Sequence, residues 1–332
     1  MHKKTKFNII SFYEFINLTE IEQLKSELIH FLKKRNSKGT ILLAKEGLNG
    51  TISIKKNYSL EFKNFINKIL KKKIFFKTHN YSEHVFLRLK IKIKSEIIKM
   101  GKKNIHPNTK TGHHVAPDEW DKLIADKNTV VVDTRNNYES KIGTFKGSIL
   151  VNSSNFTEFP EWVKKNEKKI KNRKIAMFCT GGVRCEKASS YLRKNGFKNV
   201  FQLDGGIISY LQQTKNKSKN WVGECFVFDE RVSINENLSK GNYDQCFACP
   251  QPQYCLGGTT CNGNREGLAC MKCKANYYTV DGDTCIQCPE SSIGQWSIAI
   301  GVILVCIFVV YKILEEKETL SDEEEQDNKD TK

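Results

Sequence analysis

The residues best suited to chemistry lie in one short stretch, where Cys179 follows the apolar run at residues 175–178. Gly181 and Gly182 allow a tight loop, Arg184 closes it, and a segment of helical composition follows. A strand, loop and helix in this order direct backbone N–H groups and the positive end of the helix dipole at the cysteine sulfur. Such surroundings stabilise a thiolate or the anionic sulfur of a persulfide. Cys179 is therefore predicted to be a nucleophile, with Arg184 holding the anion.

The number of residues between Cys179 and Arg184 favours sulfur chemistry over phosphate chemistry. It is Cys-x4-Arg, one residue shorter than a phosphatase cradle, because a tetrahedral phosphate is wider than a sulfur atom. The residues of the predicted active loop are Thr180, Gly181, Gly182 and Val183. The alternative is that Cys179 is a small buried hydrophobic residue before a glycine turn, but the glycine pair and the arginine together favour chemistry. Cys185 would either resolve an oxidised Cys179 or simply pack, and packing is slightly favoured.

The elements around this loop predict an α/β domain. Between residues 119 and 212, short apolar strands near 129–133, 175–178 and 199–203 alternate with helical segments, which indicates a parallel sheet. Such sheets bind ligands at the carboxyl ends of their strands, where Cys179 stands. Three charged residues follow the first of these strands and are predicted to form scaffold ion pairs: Asp133, Arg135 and Glu139.

The N-terminal hundred residues predict a separate ferredoxin-like α+β domain. A strand at 7–15 is followed by a capping-box pattern at 19–22 and a helix, then a hairpin of strands near 39–44 and 51–54. A second helix at 60–70 and a final strand at 84–94 complete the order βαββαβ. That final strand carries Arg88, Lys90 and Lys92, which are either RNA-contact candidates or an ordinary solvated face.

The excess of basic residues in the sequence predicts a polyanionic partner. The 332 residues predict two or three domains, and 54 Lys+Arg against 37 Asp+Glu leave a net charge of +17. Such an excess favours nucleic acid as a partner, although a general bias toward lysine codons is the alternative. Residues 101–118 are predicted to be a hydrophilic linker whose histidines would lie against a substrate; their spacing disfavours a metal site.

Ten of the twelve cysteines lie beyond residue 224, so the C-terminal part has a different character. Two CxxC pairs, Cys246/Cys249 and Cys270/Cys273, have a spacing suited to a structural zinc ribbon. The cysteines interleaved with them favour a disulfide repeat resembling EGF-like or furin-like modules, and both alternatives stay open. Residues 296–314 predict one transmembrane helix, and residues 315–332 form an acidic tail.

Several motifs resemble known families. Asp133-x-Arg135-x-x-x-Glu139, the turn at 143–147, the Cys179-x4-Arg184 loop and residues 203–207 resemble a rhodanese domain. Further stretches resemble the tRNA uridine(34) hydroxylase family, over about residues 5–249. They are residues 44–53 (Ala-Lys-Glu-Gly-Leu-Asn-Gly-Thr-Ile-Ser), 88–98, 179–188 (Cys-Thr-Gly-Gly-Val-Arg-Cys-Glu-Lys-Ala) and 223–232.

This resemblance implies hydroxylation of the wobble uridine of tRNA to 5-hydroxyuridine, with dioxygen as co-substrate. It also implies an acylphosphatase-like N-terminal domain, Cys179 as the persulfide cysteine and Cys185 as the second family cysteine. The sequence contains no two-His-one-carboxylate signature and no glycine-rich dinucleotide loop, so no metal or flavin motif accompanies the oxidation. The alternatives are a rhodanese-type sulfurtransferase and a membrane-tethered, non-catalytic binding module.

The predicted organisation has seven segments. They are an acylphosphatase-like domain (1–100), a linker (101–118), a rhodanese domain (119–218), a family segment (219–249), a Cys-rich segment (250–290), a transmembrane helix (296–314) and the tail (315–332). Without a recognisable signal peptide, the catalytic region is expected in the cytoplasm, with the helix as a single-pass anchor.

Overall fold

The computed structural model describes residues 6–214 and 220–243, and four short stretches at 264–266, 272–273, 277–279 and 285–287. The chain divides into two compact units, Met1–Gln245 and Cys246–Lys332. The first unit contains two sheets of five strands each.

The first sheet has the ferredoxin-like order. Its elements are β1 (Phe7–Phe15), α1 (Ile21–Lys34), β2 (Lys38–Ala44), β3 (Gly47–Lys55), α2 (Ser59–Leu70), β4 (Phe76–Tyr81) and β5 (Leu89–Ile93). The strands lie in the order β4-β1-β3-β2-β5, in which the first four are antiparallel and β5 runs parallel to β2. The predicted α+β fold is confirmed.

Two details of the prediction for this domain are wrong. The strand that closes the ferredoxin-like sheet is β4, whereas the predicted segment 84–94 supplies β5, an additional strand at the opposite edge. The predicted capping box at the start of α1 is also absent, because Glu20 is the N-cap residue and its side chain makes no capping bond.

The two faces of this sheet differ in character. Ile10 and Phe12 of β1 point into a core formed with α1 and α2, as Ile52 of β3 does. Intervening residues, such as Ser11 and Thr51, lie on the other face. Because side chains alternate along a strand, the same alternation that builds the core leaves a polar face free of helices.

The second sheet is parallel throughout, as predicted. Its domain comprises β6 (His113–Val115), α3 (Pro117–Ala125), β7 (Thr129–Asp133), α4 (Asn137–Ser140), β8 (Gly143–Phe145), β9 (Ile149–Leu150), α5 (Phe159–Ile170), β10 (Lys174–Phe178), α6 (Val183–Lys194), β11 (Val200–Leu203) and α7 (Gly206–Thr214). The order is β6-β11-β10-β7-β9. Strand β6 lies within the predicted linker and pairs with β11.

Apolar clusters cover both faces of the second sheet. One contains Val130, Ile175 and Met177, and the other contains Val131, Ala176 and Phe178. The β-branched and apolar composition of these strands follows from this two-sided burial. After α7, β12 (Trp221–Gly223) pairs with β8, and β13 (Cys225–Phe226) forms a small hairpin with β14 (Ser233–Ile234).

Little of the second unit is described. β15 (Arg265–Glu266) pairs with β16 (Lys272–Cys273), and β17 (Tyr277–Thr279) pairs with β18 (Cys285–Gln287). The zinc-ribbon candidates Cys246, Cys249 and Cys270 lie outside the described residues, as do segments 296–314 and 315–332. In the part of the chain that the structure describes, no helix is long and apolar enough to span a bilayer.

Candidate active site

Cys179 lies directly after β10, at the carboxyl end of the central strand of the second sheet. Its Sγ accepts a hydrogen bond of 3.1 Å from the amide of Gly182, the N-cap residue of α6. Gly182 adopts φ +99°, a left-handed conformation that favours glycine. The helix begins at Val183, earlier than its composition predicts, so the sulfur lies at its N-terminus.

This environment favours the thiolate form of Cys179. Burial by itself would raise the pKa of Cys179, but a hydrogen bond with Cys185, the charge of Arg184 and the amides of both residues lower the pKa to about 5. The neighbouring Cys185 responds in the opposite direction, since burial and the Cys179 charge raise its pKa. Cys185 packs in the core, 3.6 Å from Thr134 Oγ1.

Arg184 forms a buried ion pair as well as contributing to the cysteine environment. Its Nη1 and Nη2 donate to the two oxygens of Glu139 at 2.6 and 2.8 Å. Glu139 also accepts from the Thr180 hydroxyl, at 3.2 Å, and from the backbone amide of Asn136 at the start of α4. The positive charge of Arg184 is therefore largely compensated, and the pair fixes the loop against α4.

The predicted scaffold residues form two separate pairs. Asp133 and Arg135 are completely buried and interact at 2.6 Å, and Arg135 also donates to the Gly143 carbonyl. Glu139 belongs to Arg184 instead. The sequence alone does not predict these pairings, because Arg135 is four residues from Glu139 whereas Arg184 is 45 residues away.

A cleft of about 640 Å³ opens above Cys179, between the active loop and the polar face of the first sheet. The loop contributes Cys179, Thr180, Gly181, Val183 and Arg184. The first sheet contributes Ser11, Tyr13, Asn49, Thr51, Lys77 and His79. Val227, Phe228, Asp229 and Arg231, from the segment after β13, form a further wall. The first domain thus covers the cysteine of the second.

Charged groups from three segments meet in this cleft. Arg231 pairs with Asp229 at 2.6 Å, and its Nη1 lies 2.8 Å from Nε2 of His79. Burial, with the Arg231 charge, lowers the pKa of His79 to about 3, so this imidazole is neutral and accepts from Arg231. Lys77 is 4% exposed, and burial lowers its pKa to about 8.

Helix α6 is attached to the first domain by the residues that follow the loop. Glu186 accepts hydrogen bonds from Tyr13 of β1, at 3.0 Å, and from His114 of β6, at 2.9 Å. The next residue, Lys187, bridges Glu46 and Glu96 at 2.8 and 2.5 Å. The contacts with Tyr13, Glu46 and Glu96 hold the polar face of the first sheet over the active loop, whereas His114 belongs to the second sheet.

The structure brings together most of the predicted loop residues and leaves the RNA-contact candidates elsewhere. Arg88, Lys90 and Lys92 are exposed on or beside β5, the edge strand, and do not line the cleft. Lys77 and His79 of β4 were not predicted as site residues, and residues 227–231 were recognised only within the family resemblance at 223–232. The available signal was the polar alternate positions of β1, β3 and β4, which a solvated face explains equally well.

No three His, Cys, Asp or Glu side chains converge as a metal-ligand set within the described ranges. Of the four weak zinc candidates, only Cys273 falls in a described stretch, in β16.

Comparison with known proteins identifies two domains. Residues 7–97 match the UPF0176 acylphosphatase-like domain, and residues 116–213 match the rhodanese-like domain. Similar solved structures include a rhodanese-related protein from Thermoplasma volcanium, at 24% identity, covering 30% of this chain and 92% of that one (TM-score 0.25). A rhodanese-like domain protein from Staphylococcus aureus is 26% identical, with 30% and 90% coverage (TM-score 0.25). The rhodanese-like domain of an Anabaena protein is 17% identical, with 41% and 89% coverage (TM-score 0.28).

Proposed function

We propose that this protein modifies tRNA by hydroxylating uridine 34 at C5 to 5-hydroxyuridine, with dioxygen as co-substrate and Cys179 as the reactive cysteine. The observation that carries the proposal is the position of Cys179 beneath the polar face of the UPF0176 domain. A rhodanese loop alone suits sulfur transfer. The additional wall turns the loop into a cleft whose size and mixed polar and aromatic lining suit a nucleotide.

The lining supports recognition of a planar base. The side-chain oxygen of Asn49 and the hydrogen-bonded hydroxyls of Ser11 and Thr51 offer polar atoms for hydrogen bonds, and Phe228, which is 62% exposed, offers a ring for stacking. Recognition of a single-stranded loop in RNA uses this combination of stacking and edge contacts. The exposed basic residues of β5 would add contacts to the phosphate backbone.

Hydroxylation replaces the C5 hydrogen of uracil with one oxygen atom of dioxygen. The other oxygen atom is reduced to water with two electrons and two protons, which a reductant from outside the chain must supply. In this proposal the cleft binds and orients the base, and Cys179 places an anionic sulfur next to it. The ion pair of Glu139 with Arg184 stabilises the conformation of the active loop.

The test is mass spectrometry of tRNA nucleosides from a strain lacking the gene, complemented with wild type, Cys179→Ala or Cys185→Ala. Loss of 5-hydroxyuridine, restored by wild type and not by Cys179→Ala, is expected. Cys185→Ala should restore it substantially, because Cys185 packs in the core. Unchanged 5-hydroxyuridine in the deletion strain, in the absence of a parallel pathway, would contradict the proposal.

A sulfurtransferase is the second candidate, favoured by the Cys-x4-Arg loop and the lowered pKa of Cys179. The thiolate would attack the outer sulfur of thiosulfate and release sulfite, and the resulting persulfide would pass that sulfur to cyanide as thiocyanate. A thiosulfate:cyanide assay separates this activity from hydroxylation. A non-catalytic binding module predicts neither activity and no effect of Cys179→Ala on tRNA.

A further inference from the structure

Lys77 is a buried lysine to which the proposed function assigns no role. It lies in β4, opposite Ser11 of β1, and its side chain belongs to the polar face above the active loop. Among the described residues, its amine forms no ion pair within 4.0 Å, and the negative groups that act on its charge are Cys179 first, then Asp204 and Glu186. Buried lysines are rarely left without a partner, because removing a charge from water is costly.

The geometry brings this lysine to the active loop. Its Cε lies 3.9 Å from the position that a β-carbon on Gly181 would occupy, and its Nζ lies 5.0 Å from the ring centroid of Tyr13. Tyr13 is itself against the loop, since a β-carbon on Gly182 would approach its hydroxyl to 2.8 Å. Lys77 therefore faces the peptide segment that holds Cys179.

The charge balance of the site gives this position a role. Arg184 acts on the Cys179 sulfur but shares two hydrogen bonds with Glu139, so part of its charge is compensated. Cys179 is fully buried, and a second positive group on the cleft side of the loop would stabilise its sulfur anion further. Of the two lysines that line the cleft, Lys77 is buried and forms no ion pair in the described part of the chain, whereas Lys99 is exposed.

We propose that Lys77, from the acylphosphatase-like domain, is the positioning residue that supplies the counter-charge to the Cys179 sulfur anion in the rhodanese domain. The rhodanese loop is thereby completed across the domain boundary, for a thiolate or a persulfide alike. The inference rests on the proposed function only in that Cys179 is an anionic nucleophile. Burial lowers the pKa of Lys77, and the charge of Cys179, followed by those of Asp204 and Glu186, opposes this effect.

The pH dependence of Cys179 alkylation by iodoacetamide tests this pairing in the full chain. Trypsin releases Cys179 in the peptide 175–184, which contains no other cysteine, so peptide mass spectrometry reports this thiol alone. Other titratable and charged groups near the sulfur would remain unchanged in each variant: Tyr13, Asp133, Glu139, Arg184, Cys185, Glu186, Asp204 and Cys225.

Lys77→Met should raise the midpoint of the alkylation profile by about one pH unit, because the thiolate loses a nearby positive charge. Lys77→Arg should restore the wild-type midpoint. Lys99→Met, the matched control, removes an exposed lysine from the same cleft and should leave the midpoint unchanged. Equal midpoints for Lys77→Met and Lys99→Met, in folded proteins, would overturn the proposal.

If Lys77→Met does not fold, the pairing of Lys77 with Cys179 is tested by changing Cys179 and measuring the reactivity of Lys77. In Cys179→Ser the negative charge is absent, so the pKa of Lys77 should fall and its acetylation by acetic anhydride at pH 7 should accelerate several-fold. Unchanged or slower acetylation would equally overturn the proposal. Neither measurement involves tRNA. If the alkylation and acetylation results are as expected but the deletion strain keeps its 5-hydroxyuridine, only the proposed function is refuted.

Discussion

Replacing Lys187 with methionine should destabilise the contact between the two domains of the first unit. The side chain of Lys187 is 3% exposed and bridges Glu46 and Glu96, whose side chains are 25% and 19% exposed. Removing one partner of a buried ion pair costs about 3–5 kcal/mol. Because water reaches both carboxylates, we expect a smaller loss, about 2–3 kcal/mol in the free energy of unfolding.

Thermal unfolding measures this loss. A cost of that size should lower the melting temperature by about 5–10 °C in a unit of this length. Lys165→Met is the matched control, because the pair of Lys165 with Glu161 is exposed on both sides and should contribute at most about 0.5 kcal/mol.

Adding Glu46→Gln and Glu96→Gln to Lys187→Met should recover part of the stability, because no uncompensated charge remains. Equal melting temperatures for Lys187→Met and Lys165→Met would refute the assignment of Lys187 as an interdomain contact.

Two further predictions concern the loop and its support. Gly182→Ala should slow alkylation of the active-site cysteine, because its φ is +99° and its new β-carbon would displace the Tyr13 hydroxyl; Gly196→Ala, at φ +85° in open space, should cost stability but leave alkylation unchanged. The hydrogen bond that His114 donates to Glu186 raises the pKa of His114, so the folded state binds this proton more tightly than the unfolded state. The stability difference between wild type and His114→Gln should therefore be largest below about pH 6.5 and disappear as the pH rises through the folded-state pKa, and a difference that grows with pH would contradict this reasoning.

The second sheet was predictable because its signals are local. Strand β7 reads Thr-Val-Val-Val-Asp, and its burial on both faces requires that composition. The end of β10 and the glycines after Cys179 place the loop without reference to the rest of the chain. The backbone conformation of this loop then determines which amides lie close to the Cys179 sulfur.

Strand β4 could not be predicted in the same way. Its sequence, Phe-Lys-Thr-His-Asn-Tyr, has few apolar residues, because Lys77 and His79 face the cleft. Its place in the sheet depends on pairing with β1, about seventy residues earlier in the chain. The segment 84–94 shows the clearer alternation of apolar and basic residues, yet it forms an edge strand whose basic side chains are exposed.

The charge pairing of the site also depends on tertiary structure. Glu139 and Arg184 lie 45 residues apart, and their contact follows from the adjacency of β7 and β10 in the sheet. Sequence spacing places an arginine after the cysteine, but the carboxylate that compensates it comes from another βα connection. The prediction that Arg184 holds the sulfur anion therefore describes only part of its role.

The position of β4 and the pairing of Glu139 with Arg184 together explain what the acylphosphatase-like domain contributes to the rhodanese loop. A loop whose arginine is paired with Glu139 retains its backbone amides and helix dipole as stabilising groups, but has no free cation on its open side. The first sheet places Lys77 there, on the face that the helices of its domain leave uncovered. The polar side chains of β1, β3 and β4 then form one wall of the cleft above Cys179 rather than an ordinary solvated surface. A substrate that reaches Cys179 through this cleft passes between the polar wall of the first sheet and the active loop, so the first domain helps to select it.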